Sequence, residues 1–136
     1  MQTQLADFIA GTAEGREANA ILRSCSHCGF CSATCPTYQL LGNEDDSPRG
    51  RIYLIKSVLE GNPASPATQL HLDRCLTCRA CETTCPSGVN YHRLLDIGRH
   101  QVDQQVPRSL SQRGLRWLIT TVMPRRSLFG PLLRLG

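Results

Sequence analysis

The sequence predicts an all-α fold, and three of its features carry this prediction. Capping and turn residues divide the 136-residue chain into segments of helical length. Within those segments, apolar residues recur at the three- and four-residue spacing of a helix face. Alternating apolar and polar residues, which are typical of strands, are absent, and the few β-branched residues are scattered.

In the first half of the chain, capping and helix-breaking residues mark the ends of predicted helices. The N-terminal segment is expected to be helical, with interruptions at Gly11 and Gly15 because glycine is a poor helix former. Ser47 can cap a helix whose first residue is Pro48 and which ends at Gly61. The apolar face of this helix is formed by Ile52, Ile55 and Leu59.

The second half continues the same pattern. Ser65 can begin a short helix, and Asn90 can cap a longer one that ends before Pro107. A further helix is predicted from Ser109 to Val122. The apolar stripe of the longer helix consists of Tyr91, Leu94, Leu95, Gly98 and Val102. We interpret the apolar stripes of all these helices as core.

One internal repeat organises the chain. The run CSHCGFCSATCP at residues 25–36 recurs as CLTCRACETTCP at residues 75–86, with an offset of 50 residues. Both runs read C-x2-C-x2-C-x3-C-P, and together they contain all eight cysteines. Three thiolates at this spacing on a turning loop can bind three irons of one [4Fe-4S] cluster, so the repeat predicts two clusters.

The fourth cysteine of each run is expected to bind the other run's cluster, as in two-cluster ferredoxins. The first cluster is then held by Cys25, Cys28, Cys31 and Cys85. The second cluster is held by Cys75, Cys78, Cys81 and Cys35. The predicted fold is therefore an all-α, helical two-cluster [4Fe-4S] ferredoxin domain whose cofactors replace part of the hydrophobic core.

Other uses of the cysteines remain as alternatives. Structural zinc would need two C-x2-C pairs per ion, and a zinc-stapled interaction module would account for eight cysteines but not for the third cysteine of each run. Disulfides are possible by number, although no export signal accompanies them. A substrate-binding cluster would need only three cysteine ligands, whereas four per cluster predict electron transfer.

The basic residues are expected to compensate the negative charge of the clusters. The chain has 15 basic and 11 acidic residues and a formal charge of +4. Two oxidised clusters, each with a charge of about −2 including its thiolates, would bring the total to about zero. The arginines are therefore interpreted as compensation for cluster charge, with Arg23, Arg74 and Arg79 as candidates, and not as a nucleic-acid surface.

Several further polar residues are candidates for functional groups. The acidic turn of Glu44, Asp45 and Asp46 is expected to be a solvated loop. Gly29 would allow close approach of the backbone to a cluster, although Arg79 has its place in the second run. Four cysteines per cluster leave no position for a histidine ligand, so surface or packing roles are expected for His27, His71, His92 and His100.

Some classes of protein are excluded or disfavoured. No stretch approaches the roughly 20 apolar residues of a membrane span, and the N-terminus lacks the basic and apolar regions of a secretory signal. We therefore expect a cytoplasmic chain with reduced cysteines. No catalytic triad, Walker loop or dinucleotide fingerprint is present, so a flavin or nicotinamide would have to be bound by another polypeptide.

Two segments carry a resemblance to a known family. They are ILRSCSHCGFCSATCPTYQLLGNEDDSPRGRIYLIKSVLEG and HLDRCLTCRACETTCPSGVNYHRLLDIGR. Both resemble the N-terminal region of the iron-sulfur subunits of bacterial glycolate oxidases, more properly glycolate dehydrogenases. The likeness extends from MQTQL at the start to about Pro124, and the segments CPTYQLLG, SPRGRIYLIK and DRCLTC make it more specific than the cysteine runs alone.

The resemblance implies a function for the domain. It would accept electrons from FAD-binding glycolate oxidase subunits, which oxidise glycolate to glyoxylate, and pass them towards membrane quinone. The chain would then be a non-catalytic electron-transfer subunit that lies in the cytoplasm or, through its complex, at the periphery of the inner membrane. The eight cysteines match the cluster ligands of this family one by one. Equivalent subunits of glycerol-3-phosphate, lactate or heterodisulfide oxidoreductases are the alternative.

The helix boundary before Pro107 and the basic, apolar composition of the C-terminal stretch also divide the chain. Residues 1–106 would form the ferredoxin domain, and residues 107–136 a C-terminal helix and a basic, apolar linker. Members of the family continue into regions with CCG motifs, and no CCG occurs here. We therefore expect the chain to be a truncated form or an excised domain.

Overall fold

The computed structural model describes residues 1–127, 129 and 130, and the described residues form helices and no strand, which confirms the all-α prediction. The part of the predicted linker at residues 128 and 131–136 lies outside this description. In chain order the helices are α1 (Asp7–Ala10), α2 (Ala13–Ser24), α3 (Phe30–Ala33), α4 (Pro36–Leu41), α5 (Pro48–Leu59), α6 (Pro66–Asp73), α7 (Ala80–Thr83), α8 (Tyr91–Gln105) and α9 (Leu110–Val122). A 3-10 turn, Glu44–Asp46, lies between α4 and α5.

Helices α5 and α8 form the centre of the core, and α2 and α6 also pack against α8. The apolar faces predicted for α5 and α8 are buried, and each fully buried Leu or Ile stabilises the fold by about 1.5–3 kcal/mol. Gly98 allows the two helices to approach closely, because a Cβ atom there would lie 2.5 Å from Cγ1 of Ile55. This packing fixes the cysteine-bearing loops at the ends of the helices.

Three helices begin at a capping serine, of which the sequence predicted Ser47 as a cap and Ser65 and Ser109 as helix starts. The Ser47 hydroxyl accepts a hydrogen bond from the Gly50 N–H at 2.9 Å at the start of α5. Ser65 caps α6 by accepting from the Thr68 N–H at 3.1 Å. Ser109 caps α9 in the same manner. These caps satisfy backbone donors that have no partner inside the helix, so each helix begins where its serine predicts.

Two details differ from the sequence-based expectation. Gly11 separates α1 from α2, but Gly15 lies inside α2, where a Cβ atom would come within 2.0 Å of the Ile9 carbonyl oxygen. Asn90 makes no side-chain cap at α8. Instead, the carboxylate of Glu82 accepts from the backbone N–H of His92 at 2.7 Å, and so caps α8 from the second cysteine run.

The chain divides into two compact units, residues 1–106 and 107–136. The second unit contains α9, and none of the residues of α9 is buried. Its apolar stripe, which includes Leu115 and Leu118, is exposed. This contradicts the expectation that the stripe forms part of a core. Within the described residues, no helix is both long and apolar enough to cross a membrane.

Candidate metal centre

Each cysteine run follows the end of a helix and leads into a helix of one turn. Cys25 is the C-terminal cap of α2, and Cys75 follows the cap residue of α6. The third cysteines, Cys31 and Cys81, lie in the short helices α3 and α7. The 50-residue repeat in sequence is thus also a repeat of local structure.

The backbone of the two loops repeats as well. His27 and Gly29 have positive φ angles of 55° and 85° in the first loop. Thr77 and Arg79 have φ angles of 53° and 60° at the equivalent positions of the second loop. Left-handed conformations cost roughly 1–2 kcal/mol at residues other than glycine, and such strain is concentrated at functional sites. Gly29 is therefore not required for this turn, since Arg79 adopts it too.

Three cysteines of the first run and two of the second line a common cavity. Its walls include Cys25, Cys28 and Cys31 together with Cys85. Cys81 also reaches this cavity, in which about 420 Å³ is free of protein atoms and part of that space is open to solvent. The fourth cysteine of the first run, Cys35, does not line it.

The cysteines that line a second cavity come mainly from the second run. Its cysteines are Cys75, Cys78 and Cys81 from the second run and Cys35 from the first. The volume free of protein atoms is about 370 Å³, similar to that of the first cavity. The structure thus brings the eight predicted site residues to two cavities. Each is lined by the first three cysteines of one run and the fourth cysteine of the other, and Cys81 lines both.

The two cavities share a wall. Pro48 at the start of α5, Cys81 in α7 and Tyr91 at the start of α8 line both of them. Tyr91 is buried, with 5% of its surface exposed. Groups bound in the two cavities would therefore be separated by a single layer of side chains.

The thiols fit a positively charged, sulfur-binding group. All eight cysteines are free. Burial raises the pKa of Cys25 and Cys31, and it raises the pKa of Cys81 to about 12. Four converging thiolates would repel one another in each cavity unless cations neutralised them, and soft thiolate sets of this type bind iron-sulfur clusters or zinc. In the described part of the chain, no three His, Cys, Asp or Glu side chains are arranged as ligands of a single metal ion.

Neutral donors surround sulfurs in both cavities. The Phe30 N–H lowers the pKa of the exposed Cys28 thiol by hydrogen bonding, with a smaller contribution from Ser26. The backbone N–H of Val89 lies 3.5 Å from Sγ of Cys85. In the second cavity, the Tyr91 hydroxyl donates to Sγ of Cys75 at 3.7 Å. Such donors stabilise thiolates and so favour bound metal.

Glu44 and Asp45 of the acidic turn are partly exposed, but Asp46 is not solvated as expected and belongs to a buried ionic network beside the second cavity. Asp46 and Arg51 have no exposed side-chain surface. The Asp46 carboxylate accepts from Arg74 at 3.0 Å, from His71 at 3.0 Å and from Arg51 at 3.5 Å. Although burial acts to raise the pKa of Asp46, the hydrogen bonds from His71 and Arg74 lower it overall.

Arg51 connects this network to a cysteine. Its Nη1 atom lies 4.0 Å from Sγ of Cys35, and both terminal nitrogens lie 3.2 Å from the hydroxyl oxygen of Thr37. The Thr37 hydroxyl lies 3.2 Å from the same sulfur. Sequence reasoning did not single out Arg51. The spacing did contain an indication that Arg51 is buried, because Arg51 precedes Ile55 by four residues and so lies on the same face of α5.

The other arginines and histidines named from the sequence differ in their positions relative to the two cavities. Arg79 lines the second cavity, whereas Arg23 hydrogen bonds Asn19 on α2 and lines neither cavity. His71 and His92 are paired with acidic residues. His27 lines the first cavity and stacks on Tyr53, with ring centres 4.4 Å apart.

Comparisons with known proteins agree with this arrangement. The model of the 4Fe-4S dicluster domain family matches residues 21–89, about half of the chain and the segment that contains both runs. The glycolate oxidase iron-sulfur subunit of Escherichia coli (strain K12) is 62% identical over 136 residues, which cover 100% of this chain and 33% of that relative. The probable glycolate oxidase iron-sulfur subunit of Bacillus subtilis (strain 168) is 45% identical over 97 residues, 70% of this chain and 22% of the relative.

A third relative carries another name. It is a component of the dihydromethanophenazine:CoB–CoM heterodisulfide reductase of Methanosarcina mazei, and it is 35% identical over 85 residues, 51% of this chain and 21% of that relative. The chain thus spans about a third of the length of the Escherichia coli relative and less of the other two. No solved structure matches it. Because the family model covers both cysteine runs, the chain belongs to the 4Fe-4S dicluster domain family, and its resemblance to the iron-sulfur subunits of bacterial glycolate oxidases is confirmed.

Proposed function

We propose that the chain is the electron-relay portion of a glycolate-oxidising complex and that it binds two [4Fe-4S] clusters. The observation that carries the proposal is the pair of adjacent cavities, each lined by a complete set of four thiols. When bound, such a cluster takes up and gives back one electron. The ligands of the first cluster are Cys25, Cys28, Cys31 and Cys85. The ligands of the second are Cys75, Cys78, Cys81 and Cys35.

The residues of the chain support relay and not substrate chemistry. Four thiols per cavity leave no iron position open to substrate. Cys28 and Cys78 are exposed, so electrons can reach each cavity from the surface, and the shared wall of Pro48, Cys81 and Tyr91 keeps the transfer distance between clusters short. The cysteines hold the clusters in place, and the buried wall keeps water from between them.

The names of two relatives, both glycolate oxidase iron-sulfur subunits, support glycolate as the substrate of the proposed complex. A separate FAD-binding subunit would oxidise glycolate to glyoxylate, a reaction that releases two electrons and two protons. The flavin would take up both electrons and pass them singly to this chain, which would relay them towards membrane quinone. Residues 1–106 act as the cluster domain in the cytoplasm or at the inner-membrane surface, and residues 107–136 lead towards a CCG-containing region.

The metal content tests the proposal against a zinc-stapled interaction module. Chain purified without oxygen should contain about eight irons and eight acid-labile sulfides, should be brown, and should show two interacting paramagnets after reduction. A colourless protein with stoichiometric zinc would support the interaction module, and about four irons would contradict two clusters.

The crossed ligand assignment has its own test. Cys35→Ala should damage the cluster in the cavity of Cys75, and the matched variant Cys85→Ala should damage the cluster in the cavity of Cys25. Mössbauer and EPR spectra of each variant identify the cluster that survives. Damage to the cluster of the same run in each variant would show that each run binds its own cluster.

Electron transfer is tested with partner proteins. Oxidised, cluster-loaded chain mixed with the glycolate-reduced flavin subunit should lose its visible cluster absorbance. Flavoproteins reduced by lactate or glycerol-3-phosphate provide the comparison for the alternative complexes, and a thiol–disulfide couple provides it for the heterodisulfide alternative. Clusters that dithionite reduces but the glycolate-reduced flavoprotein does not would argue against the assigned complex.

A further inference from the structure

The two cavities differ in the charge that surrounds them. Near the second cavity, Arg51 and Arg74 share the buried carboxylate of Asp46, and of the two guanidinium groups only that of Arg51 is fully buried. Arg51 is fully buried and is 4.0 Å from Sγ of Cys35. Solvent therefore screens this charge only weakly.

The first cavity has a cation of a different kind. Arg49 lines it, but its side chain is 37% exposed and it forms an ion pair with Glu44 at 2.7 Å. This pair carries no net charge. The local charge at the first cavity is thus both neutralised and open to solvent.

The remaining cationic contacts of the two loops resemble one another. The carbonyl oxygen of Cys25 accepts from the N-terminal ammonium of Met1 at 3.2 Å. The carbonyl oxygen of Cys75, at the equivalent place, accepts from Arg99 at 2.9 Å. These two contacts offset each other. Arg79 also lines the second cavity, but it is exposed and solvent screens its charge, so the difference in buried charge between the cavities rests on Arg51.

Neutral groups also contact sulfur in both cavities. In the second cavity the Tyr91 hydroxyl donates to Sγ of Cys75, whereas the Thr37 hydroxyl, 3.2 Å from Sγ of Cys35, accepts from Arg51 and donates to the Asp46 carbonyl oxygen. The donors at sulfur in the first cavity include the Val89 N–H and, at the exposed Cys28, the Phe30 N–H and the Ser26 hydroxyl. All of these first-cavity donors are neutral.

One-electron reduction of a thiolate-bound [4Fe-4S] cluster changes its total charge from about −2 to about −3 and makes or breaks no bond. A buried cation and donors at the thiolates stabilise the more negative form more strongly, so they raise the reduction potential. We propose that Arg51 gives the cluster held by Cys35, Cys75, Cys78 and Cys81 the higher reduction potential, so that the first electron taken up by the domain resides there. This inference rests on the proposed binding of one cluster in each cavity.

The order of reduction is tested by EPR-monitored potentiometry of the anaerobic, cluster-loaded chain. The exposed cysteines form a matched pair for assigning the signals, since Cys28→Ser alters only the first cluster's ligands and Cys78→Ser only the second's. We expect two midpoint potentials, and we expect Cys78→Ser to perturb the signal that develops first. Equal potentials, or a first signal perturbed by Cys28→Ser instead, would overturn the proposal.

The role of Arg51 is tested by variants that change charge in opposite directions. Arg51→Met should lower the potential of the second cluster, Arg51→Lys should restore most of it, and Asp46→Asn should raise it. A purely structural role would not produce shifts of opposite sign. The control Arg49→Gln should leave the second cluster's potential unchanged.

The outcomes separate this inference from the proposed function. Fewer than about eight irons in the unmodified chain would refute the two clusters themselves. Eight irons with the reverse order of reduction, or with an unshifted potential in Arg51→Met, would refute only the role of Arg51. If Arg51→Met binds no clusters, the order in the unmodified chain and the sign of the shift in Asp46→Asn still decide the matter.

Discussion

Asp46 is the residue on which the polar interior depends. It is fully buried, and its two carboxylate oxygens are the acceptors for Arg51, Arg74 and His71. Its backbone carbonyl also accepts from the hydroxyl of Thr37 at 2.9 Å. One side chain thus joins the 3-10 turn, α5 and α6 beside the second cavity.

Replacing Asp46 by asparagine should destabilise the protein by about 3 kcal/mol, because Arg51 would remain buried without its counter-charge. The measurement is anaerobic urea unfolding followed by circular dichroism. Asp45→Asn is the matched control, since the neighbouring carboxylate is 51% exposed and should contribute less than about 1 kcal/mol. Equal losses in the two variants would contradict the structural role of Asp46.

At the scale of residues, the sequence is most informative where the spacing of cysteines carries chemistry. The eight cysteines stand out in the sequence because three thiolates at a fixed spacing suit a cluster. Asp46 and Arg51 were not predicted to be buried, since a run of three acidic residues usually lies in solvent. Their burial depends on tertiary packing of the 3-10 turn against α5 and α6, which local sequence does not reveal.

At the scale of the elements, close approach of the 3-10 turn and α5 positions the buried network. Gly50 lies in the first turn of α5, and a Cβ atom there would come within 2.0 Å of the Glu44 carbonyl oxygen. The obstructing atom belongs to the backbone, so it cannot rotate away. Glycine is required here for space, not for its φ angle.

Gly50→Ala should therefore destabilise the protein by about 1–3 kcal/mol or more, because the turn that carries Asp46 must shift. Thermal unfolding of the cluster-loaded chain measures this effect. Gly114→Ala on the exposed helix α9, where no atom lies within 4 Å of the new Cβ, should be neutral or stabilise its helix by up to about 1 kcal/mol. A stability of Gly50→Ala equal to that of the unmodified chain would show that the turn adapts freely.

Helix starts were predicted well where the cap is local. Ser47, Ser65 and Ser109 each accept from a backbone N–H three residues later, so their signal lies within a few residues of sequence. The cap of α8 was not predicted, because Glu82 reaches it from the second cysteine run. The positive φ angles at His27 and Thr77 were also not predicted, and the one at Thr77 is the less expected because a β-branched residue rarely adopts this conformation.

At the scale of the whole molecule, the apolar core of α2, α5, α6 and α8 is continuous with the walls of the cysteine cavities. Cys25 and Cys81 belong to the buried core, and Cys31, Cys75 and Cys85 pack against it. The same cysteines line the two cavities, so groups bound there would join the two runs next to the core. The fold is therefore expected to depend on the occupants of the cavities.

Removal of iron should cause loss of the cooperative fold, because ligand thiolates tie the two runs together only while metal is bound. The measurement is anaerobic treatment with a chelator, followed by circular dichroism during heating. Reconstitution with iron and sulfide should restore the helical signal and the cooperative transition. A cooperative transition that persists after complete removal of iron would show that the protein core is sufficient alone.

The repeat in the sequence predicted much of the global arrangement. It predicted fewer of the contacts between individual residues. The all-α class followed from helix punctuation, and the crossed ligand sets followed from the two-cluster pattern. The crossed sets stay a prediction, supported by the positions of Cys35 and Cys85 at opposite cavities. The exposed face of α9 was not foreseen, because a periodic apolar stripe does not reveal whether a partner element covers it.

Iron anomalous diffraction from crystals grown without oxygen tests the account most directly. We expect two peaks of anomalous density, each of four irons, one within reach of Cys85 and the cysteines of the first run and the other within reach of Cys35 and those of the second. A peak bound by Cys25, Cys28, Cys31 and Cys35 together, or density at the zinc edge instead of the iron edge, would contradict it.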